Sequence, residues 1–139
     1  MSAVLRSLRL VAMNDREPET GERWTDVCAL HDIVPDTGVC ALVRGEQVAV
    51  VRVGAADQLY AIDNFDPISK AFVLSRGIVG DRKGVAKIAS PLYKQSFALG
   101  TGQCLDDGSV RVGVWEVRVR AGRVEVGARL PVPVKEVTP

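Results

Sequence analysis

The strongest constraint on this chain is the shortness of its apolar runs. GVCALV at 38–43, VAVVRV at 48–53 and LYAID at 59–63 are rich in β-branched residues, and only RGEQ and GAADQ separate them. Segments this short cannot build stable helices, whereas branched side chains pack well on a pleated surface, so the three read as a meander of strands. Near the C-terminus, WEVRVR at 115–120 and RVEV at 123–126 flank Ala121-Gly122. Strict alternation puts Val117, Val119, Val124 and Val126 on one face and turns Arg118, Arg120, Arg123 and Glu125 to water, which predicts a half-buried hairpin. VCALHDIV at 27–34 and FVLSRG at 72–77 read as single short turns of helix, too brief for an amphipathic face. The expectation is an all-β fold with little helix, closed as a sandwich or small barrel.

At 139 residues and 15.0 kDa the chain can bury one core without covalent staples. Residues 14–23, NDREPETGER, are wholly polar and hold Pro18 and Gly21, which predicts a flexible N-terminal tail over 1–23 and a domain from Trp24 to 128. After Gly127 the sequence ARLPVPVKEVTP holds three prolines, so 129–139 reads as an extended tail over the surface or across a partner.

Eighteen Lys plus Arg stand against 17 Asp plus Glu, with the signs mixed along the chain, so no basic block exists to attract nucleic acid or an anionic membrane. No apolar run approaches the roughly 18 residues of a membrane helix. Arg6 and Arg9 in MSAVLRSLRLVAM are followed by no signal-peptide core. Cys28, Cys40 and Cys104 are odd in number and form no CxxC, which fits a reducing compartment, and the cytoplasm is expected.

Catalytic signatures are largely missing. His31 is the only histidine, so no site needing two imidazoles can be built. No G-x-S-x-G elbow accompanies it, and it is read as a surface-turn residue. The cysteines lie in or beside apolar runs and read as small hydrophobes. Gly77, Gly80 and Gly84 match no phosphate-loop pattern and read as turn glycines, and Asp106-Asp107-Gly108 reads as a β-turn.

One long patterned segment remains, at 64–105. It holds Asn64-Phe65-Asp66, then Ser90-Pro91-Leu92-Tyr93-Lys94-Gln95-Ser96-Phe97, then Thr101-Gly102. This layout resembles the cluster-binding part of a Rieske iron–sulfur domain, in which C-x-H is followed by C-P-x-H-G-x-x-F and a T-G turn. The resemblance implies a Rieske-like β-sandwich with two loops at one end. It places Asn64 and Ser90 where that family has cysteines, and Asp66 and Tyr93 where it has histidines. A Rieske cluster needs two thiolates and two imidazoles, which these four residues do not supply, so no cofactor or metal is expected in this chain.

The strings DPISKAFVLSRGIVGD and KIASPLYKQSFALGTGQCLDD further resemble the small subunit of cytoplasmic assimilatory NAD(P)H-dependent nitrite reductase, a family that carries this ligand-free variant. That likeness runs from Trp24 to Ala128. It implies a large partner subunit carrying FAD, an iron–sulfur cluster and sirohaem, which reduces nitrite to ammonium. This chain would then be a non-catalytic subunit, and the alternative is a free-standing Rieske-like module that binds or regulates. Asn64, Asp66, Ser90 and Tyr93 can hydrogen-bond the loop backbone where metal bonds once held it, or contact the partner directly. Arg76, Arg82, Lys83 and Lys94 are read as a cationic loop tip, either simply solvated or steering an acidic partner. The purified chain is expected to be colourless: absorption between about 400 and 600 nm with stoichiometric iron and sulfide would overturn the ligand argument.

Overall fold

The computed structural model describes residues 23–54 and 58–132. Among them eleven strands follow one another: β1 Thr25–Ala29, β2 Thr37–Val43, β3 Glu46–Val53, β4 Gln58–Asp63, β5 Phe65–Asp66, β6 Ala71–Phe72, β7 Ile78–Arg82, β8 Val85–Ala89, β9 Ser96–Ala98, β10 Trp115–Arg120 and β11 Arg123–Arg129. Among the described residues the helical elements are two 3-10 turns, Leu30–Asp32 and Leu74–Arg76.

Three antiparallel three-stranded sheets form, ordered β1-β11-β10, β2-β3-β4 and β7-β8-β9, with β5 and β6 pairing as a short ribbon. The all-β fold predicted from the runs is observed, and the β2–β4 meander and the β10–β11 hairpin lie where the sequence places them. The segment 27–34 is corrected. Its first residues belong to β1, which pairs with β11 from Thr25↔Val126 to Ala29↔Arg123, and only Leu30–Asp32 turns helically. A partner nearly a hundred residues away overrides a weak local preference.

The middle sheet is buried on both sides. Val48 and Val50 enter one core with Val27, Val43, Trp115, Val124 and Val126, while Ala49 and Val51 enter another with Ile62, Ile88, Phe97 and Leu99. All four β3 residues are fully buried, because successive side chains point to opposite faces and each face is covered by a further sheet. The hairpin's alternation holds for Val124 and Val126 and lapses at its tip, where Val119 is 41% exposed.

Asp63, at the end of β4, fastens the last strands to this middle sheet. Its carboxylate accepts hydrogen bonds from Gly113 N–H at 2.8 Å, Trp115 Nε1 at 3.0 Å and both terminal nitrogens of Arg129 at 2.9 Å. Arg44, in the β2–β3 turn, donates to Thr25 Oγ1 and to the carbonyls of Arg23 and Gly127. Of the expected tails, 1–22 and 133–139 lie outside the described residues, and Arg129 is part of β11.

Gly84 serves the β7–β8 turn as expected, whereas Gly77 caps the second 3-10 turn and Gly80 lies within β7. Gly102 is more demanding: its φ is 78°, and a β-carbon there would fall inside contact distance of the Val112 carbonyl oxygen. Gly102→Ala is therefore expected to destabilise the fold by at least about 2 kcal/mol, read from the urea midpoint at unchanged slope. A cost below about 0.5 kcal/mol would show that this turn yields freely.

Candidate functional site

Two loops meet at one end of the molecule. The first runs from Asn64 through the β5–β6 ribbon to the 3-10 turn at Leu74–Arg76, and the second connects β8 to β9 through Ser90–Gln95. The second closes on itself, with Lys94 N–H donating to the Ser90 carbonyl at 3.0 Å and Ser90 N–H to the Gln95 carbonyl at 2.8 Å. Lys94 has φ 65°, the left-handed conformation a glycine would take most easily.

Asp66 joins the loops. Its side chain is fully buried, and its Oδ2 accepts from Ser90 Oγ at 2.7 Å, Gln95 Nε2 at 2.6 Å and Ser69 Oγ at 2.7 Å, while Oδ1 accepts from Ile68 N–H at 2.9 Å. Burial alone raises a carboxyl pKa. Here the hydrogen bonds from Ser90, Ser69 and the backbone N–H groups of Ile68 and Ser69 outweigh it, and the carboxyl sits below its ordinary 3.8.

Asn64 anchors the first loop to the middle sheet. Its Oδ1 accepts from Ser75 N–H at 2.7 Å, and its Nδ2 donates to Gln47 Oε1 at 3.0 Å and Cys40 Sγ at 3.4 Å. Cys28 and Cys104 are core residues as expected. Cys40 is not: it is half-buried in this polar cluster, and burial pushes its thiol up to about 11 against the hydrogen bond with Ser75 and the Arg76 charge. At neutral pH it is an unreactive thiol. His31 is exposed in the first 3-10 turn, and Asp107 holds a turn through Ser109.

Of the four positions singled out in the loops, Asn64, Asp66 and Ser90 turn inward and hydrogen-bond as expected. Tyr93 is corrected: it is 68% exposed and makes no hydrogen bond among the described residues. Gln95 and Ser69 complete the clasp and were missed. The available signal was the need of a buried carboxylate for several donors, met here by polar residues inside the loops themselves.

The cations do not gather as a single tip. Ile78 pairs with Ala89, beside Ser90, whereas Arg82 pairs with Val85 at the other end of the same hairpin. Arg82 is moreover engaged, by an ion pair to Asp106 at 3.2 Å and a hydrogen bond to the Leu105 carbonyl, and Lys83 lies in the turn beyond it. Arg76 and Lys94 remain at the loop end, both exposed, and Lys70 of the first loop joins them.

Residues 23–127 match the family described as a Rieske-like [2Fe-2S] domain. The small subunit of nitrite reductase (NADH) from Escherichia coli K12 is 45% identical over 104 residues, covering 75% of this chain and 96% of that one. The solution structure of the NAD(P)H nitrite reductase small subunit from Erwinia carotovora superposes with a TM-score of 0.66 at 47% identity, covering 84% of this chain and 90% of that one. A stretch of the NAD(P)H nitrite reductase large subunit of Klebsiella oxytoca is 43% identical over 112 residues, 80% of this chain and 12% of that protein. This chain belongs to the Rieske-like [2Fe-2S] domain family and, within it, to the small subunits of NADH nitrite reductase.

The loops do not fit the cluster that the family description carries. They hold no cysteine or histidine, and the oxygens of Asp66, Asn64 and Ser90 are already committed to hydrogen bonds inside the protein. Among the described residues no three His, Cys, Asp or Glu side chains gather in a way that could hold a metal ion.

Removing the clasp has a predictable cost. Asp66→Ala leaves the buried donors of Ser69, Ser90 and Gln95 without an acceptor and is expected to destabilise by about 2–4 kcal/mol in urea unfolding. Because the folded carboxyl titrates below its unfolded value, its contribution is present above that value and is lost as pH falls through the folded one. Wild-type stability should therefore drop below about pH 4, and Asp66→Asn should show a flatter acid limb. Identical acid limbs would assign that loss to other carboxylates.

Proposed function

We propose that this chain acts as the non-catalytic small subunit of a cytoplasmic NAD(P)H nitrite reductase, docking on and supporting a large subunit that reduces nitrite to ammonium. The observation that carries this reading is the Asp66 clasp: the Rieske scaffold keeps its two loops, but hydrogen bonds among Asp66, Ser90, Ser69 and Gln95 close them where a redox centre would be ligated. Reducing nitrite to ammonium is a multi-electron reaction that needs cofactors, and the chemistry of these loops offers no ligands for one. FAD, an iron–sulfur cluster and sirohaem are accordingly assigned to the large subunit.

Two further observations support the reading. The Klebsiella relative named as a large subunit includes a stretch resembling nearly all of this domain, so domain and large subunit also occur on one chain. The described cysteines are free thiols, as in a reducing compartment.

Co-expression with the large subunit tests the proposal. The two chains are expected to co-elute in size-exclusion chromatography, with nitrite-dependent NADH oxidation in the complex and none in the small chain alone. Elution of the small chain by itself at micromolar concentration would favour the free-standing module.

A further inference from the structure

The loop end carries a concentration of exposed apolar side chains that the clasp does not use. Phe72 is 55% exposed, Ile78 72%, Leu92 51% and Tyr93 68%. The fold draws them around the Asp66–Ser90 junction. Phe72 follows Ala71, the pairing partner of Asp66; Ile78 pairs with Ala89, just before Ser90; and Leu92 and Tyr93 form the turn just after it. Scattered surface hydrophobes need no explanation, but several gathered around one structural junction mark an interaction site. An aromatic pair adds breadth, since Phe65 packs against Phe72 with ring centroids 4.9 Å apart.

Within the two loops themselves the exposed charge has one sign, while Glu46 and Asp63, which line a cavity with Phe72, are both paired with Arg129. Over 64–80 and 86–95 Asp66 is the only acidic residue, and it is buried. Lys70, Arg76 and Lys94 are exposed there and form no ion pair among the described residues, whereas Arg82, Arg118, Arg123 and Arg129 elsewhere on the domain are matched by carboxylates. Two copies of this end would face each other cation to cation, which disfavours self-association across it. An acidic partner surface with an apolar centre is complementary in both respects.

The geometry points to this loop end, with Phe72, Ile78, Leu92 and Tyr93 at its centre and Lys70, Arg76 and Lys94 around them, as the face that docks on an acid-rimmed apolar surface of the large subunit. This rests on the subunit reading above and assigns its interface. The Asp66 clasp then has a positioning role, because it fixes both halves of the face before binding and so lowers the ordering cost of association. Exposed aromatics and Leu seated in a partner's pockets supply affinity, and the cations mainly speed encounter and select the partner.

The test measures binding of the full-length chain to the purified large subunit at low and high salt. All variants sit at exposed positions, and folding of each is checked by its thermal unfolding. The double variant Leu92→Ser/Tyr93→Ser is expected to weaken binding at least about tenfold at both salts. Lys70→Glu/Lys94→Glu should weaken it mainly at low salt and flatten the salt dependence. Val85→Ser, which removes a 43% exposed apolar side chain paired with Arg82 at the end of the β7–β8 hairpin away from Ser90, should bind as wild type. Wild-type binding with both loop-end variants unaffected would overturn the assigned face and leave the subunit reading intact. Loss of binding by Val85→Ser as large as that of the loop-end variants would also overturn the face. No binding by the wild-type chain would overturn the subunit reading and the face with it. Self-association of the wild type that Leu92→Ser/Tyr93→Ser abolishes would make a second copy the occupant and overturn the proposal.

Discussion

The carboxylate of Asp66 is the constraint on which the loop end depends. A buried charge is tolerated only when its lone pairs are met, and Asp66 meets them with donors from both loops: Ile68 and Ser69 from its own, Ser90 and Gln95 from the other. Charge-assisted hydrogen bonds to one anion can fix the relative position of two loops, as bonds to a shared metal centre would. The substitution is not symmetric. A metal centre would add redox chemistry, whereas the carboxylate adds only geometry and leaves the side chains that point away from it free for other use.

That geometry is useful because the loops stand on a stiff base. The middle sheet is packed on both faces, so β3 has no freedom to bend, and β4 leads from it directly into Asn64. Asn64 then ties the first loop back to Gln47 and Cys40, and Asp63 ties the same point of the chain to Gly113, Trp115 and Arg129. Within four residues the chain thus carries three polar anchors that reach the β2–β3 hairpin, the C-terminal strands and the second loop. Surface residues carried on such a base are presented in a defined arrangement, which is what a docking face requires.

A fold does not determine its function, and here a Rieske-like frame carries loops without ligands for a cluster. The positions that resemble cluster ligands fall into two groups. Asn64, Asp66 and Ser90 are internal hydrogen-bonding groups, while Tyr93 is part of the exterior. In the Klebsiella oxytoca relative a similar stretch lies within a chain named as a large subunit.

Much was legible from the sequence alone, because the information was local. Alternation along 115–126 defined a hairpin and its buried face, the short Val-rich runs at 38–63 defined a meander, and the loop motifs identified the two segments that meet. What escaped depended on partners remote in the chain. Residues 27–29 are strand because β11 lies beside them, and Arg82 is paired because the fold brings Asp106 to it. Asp66 and Tyr93 were equal candidates in sequence, yet one is fully buried and the other exposed. That choice was made by Ser90 and Gln95, 24 and 29 residues from Asp66, whose donors could be matched to the carboxylate only after the sheets had brought the loops together. Periodicity is set by a residue's neighbours in the chain, but satisfaction of a buried charge is set by its neighbours in space, and only the tertiary structure supplies those.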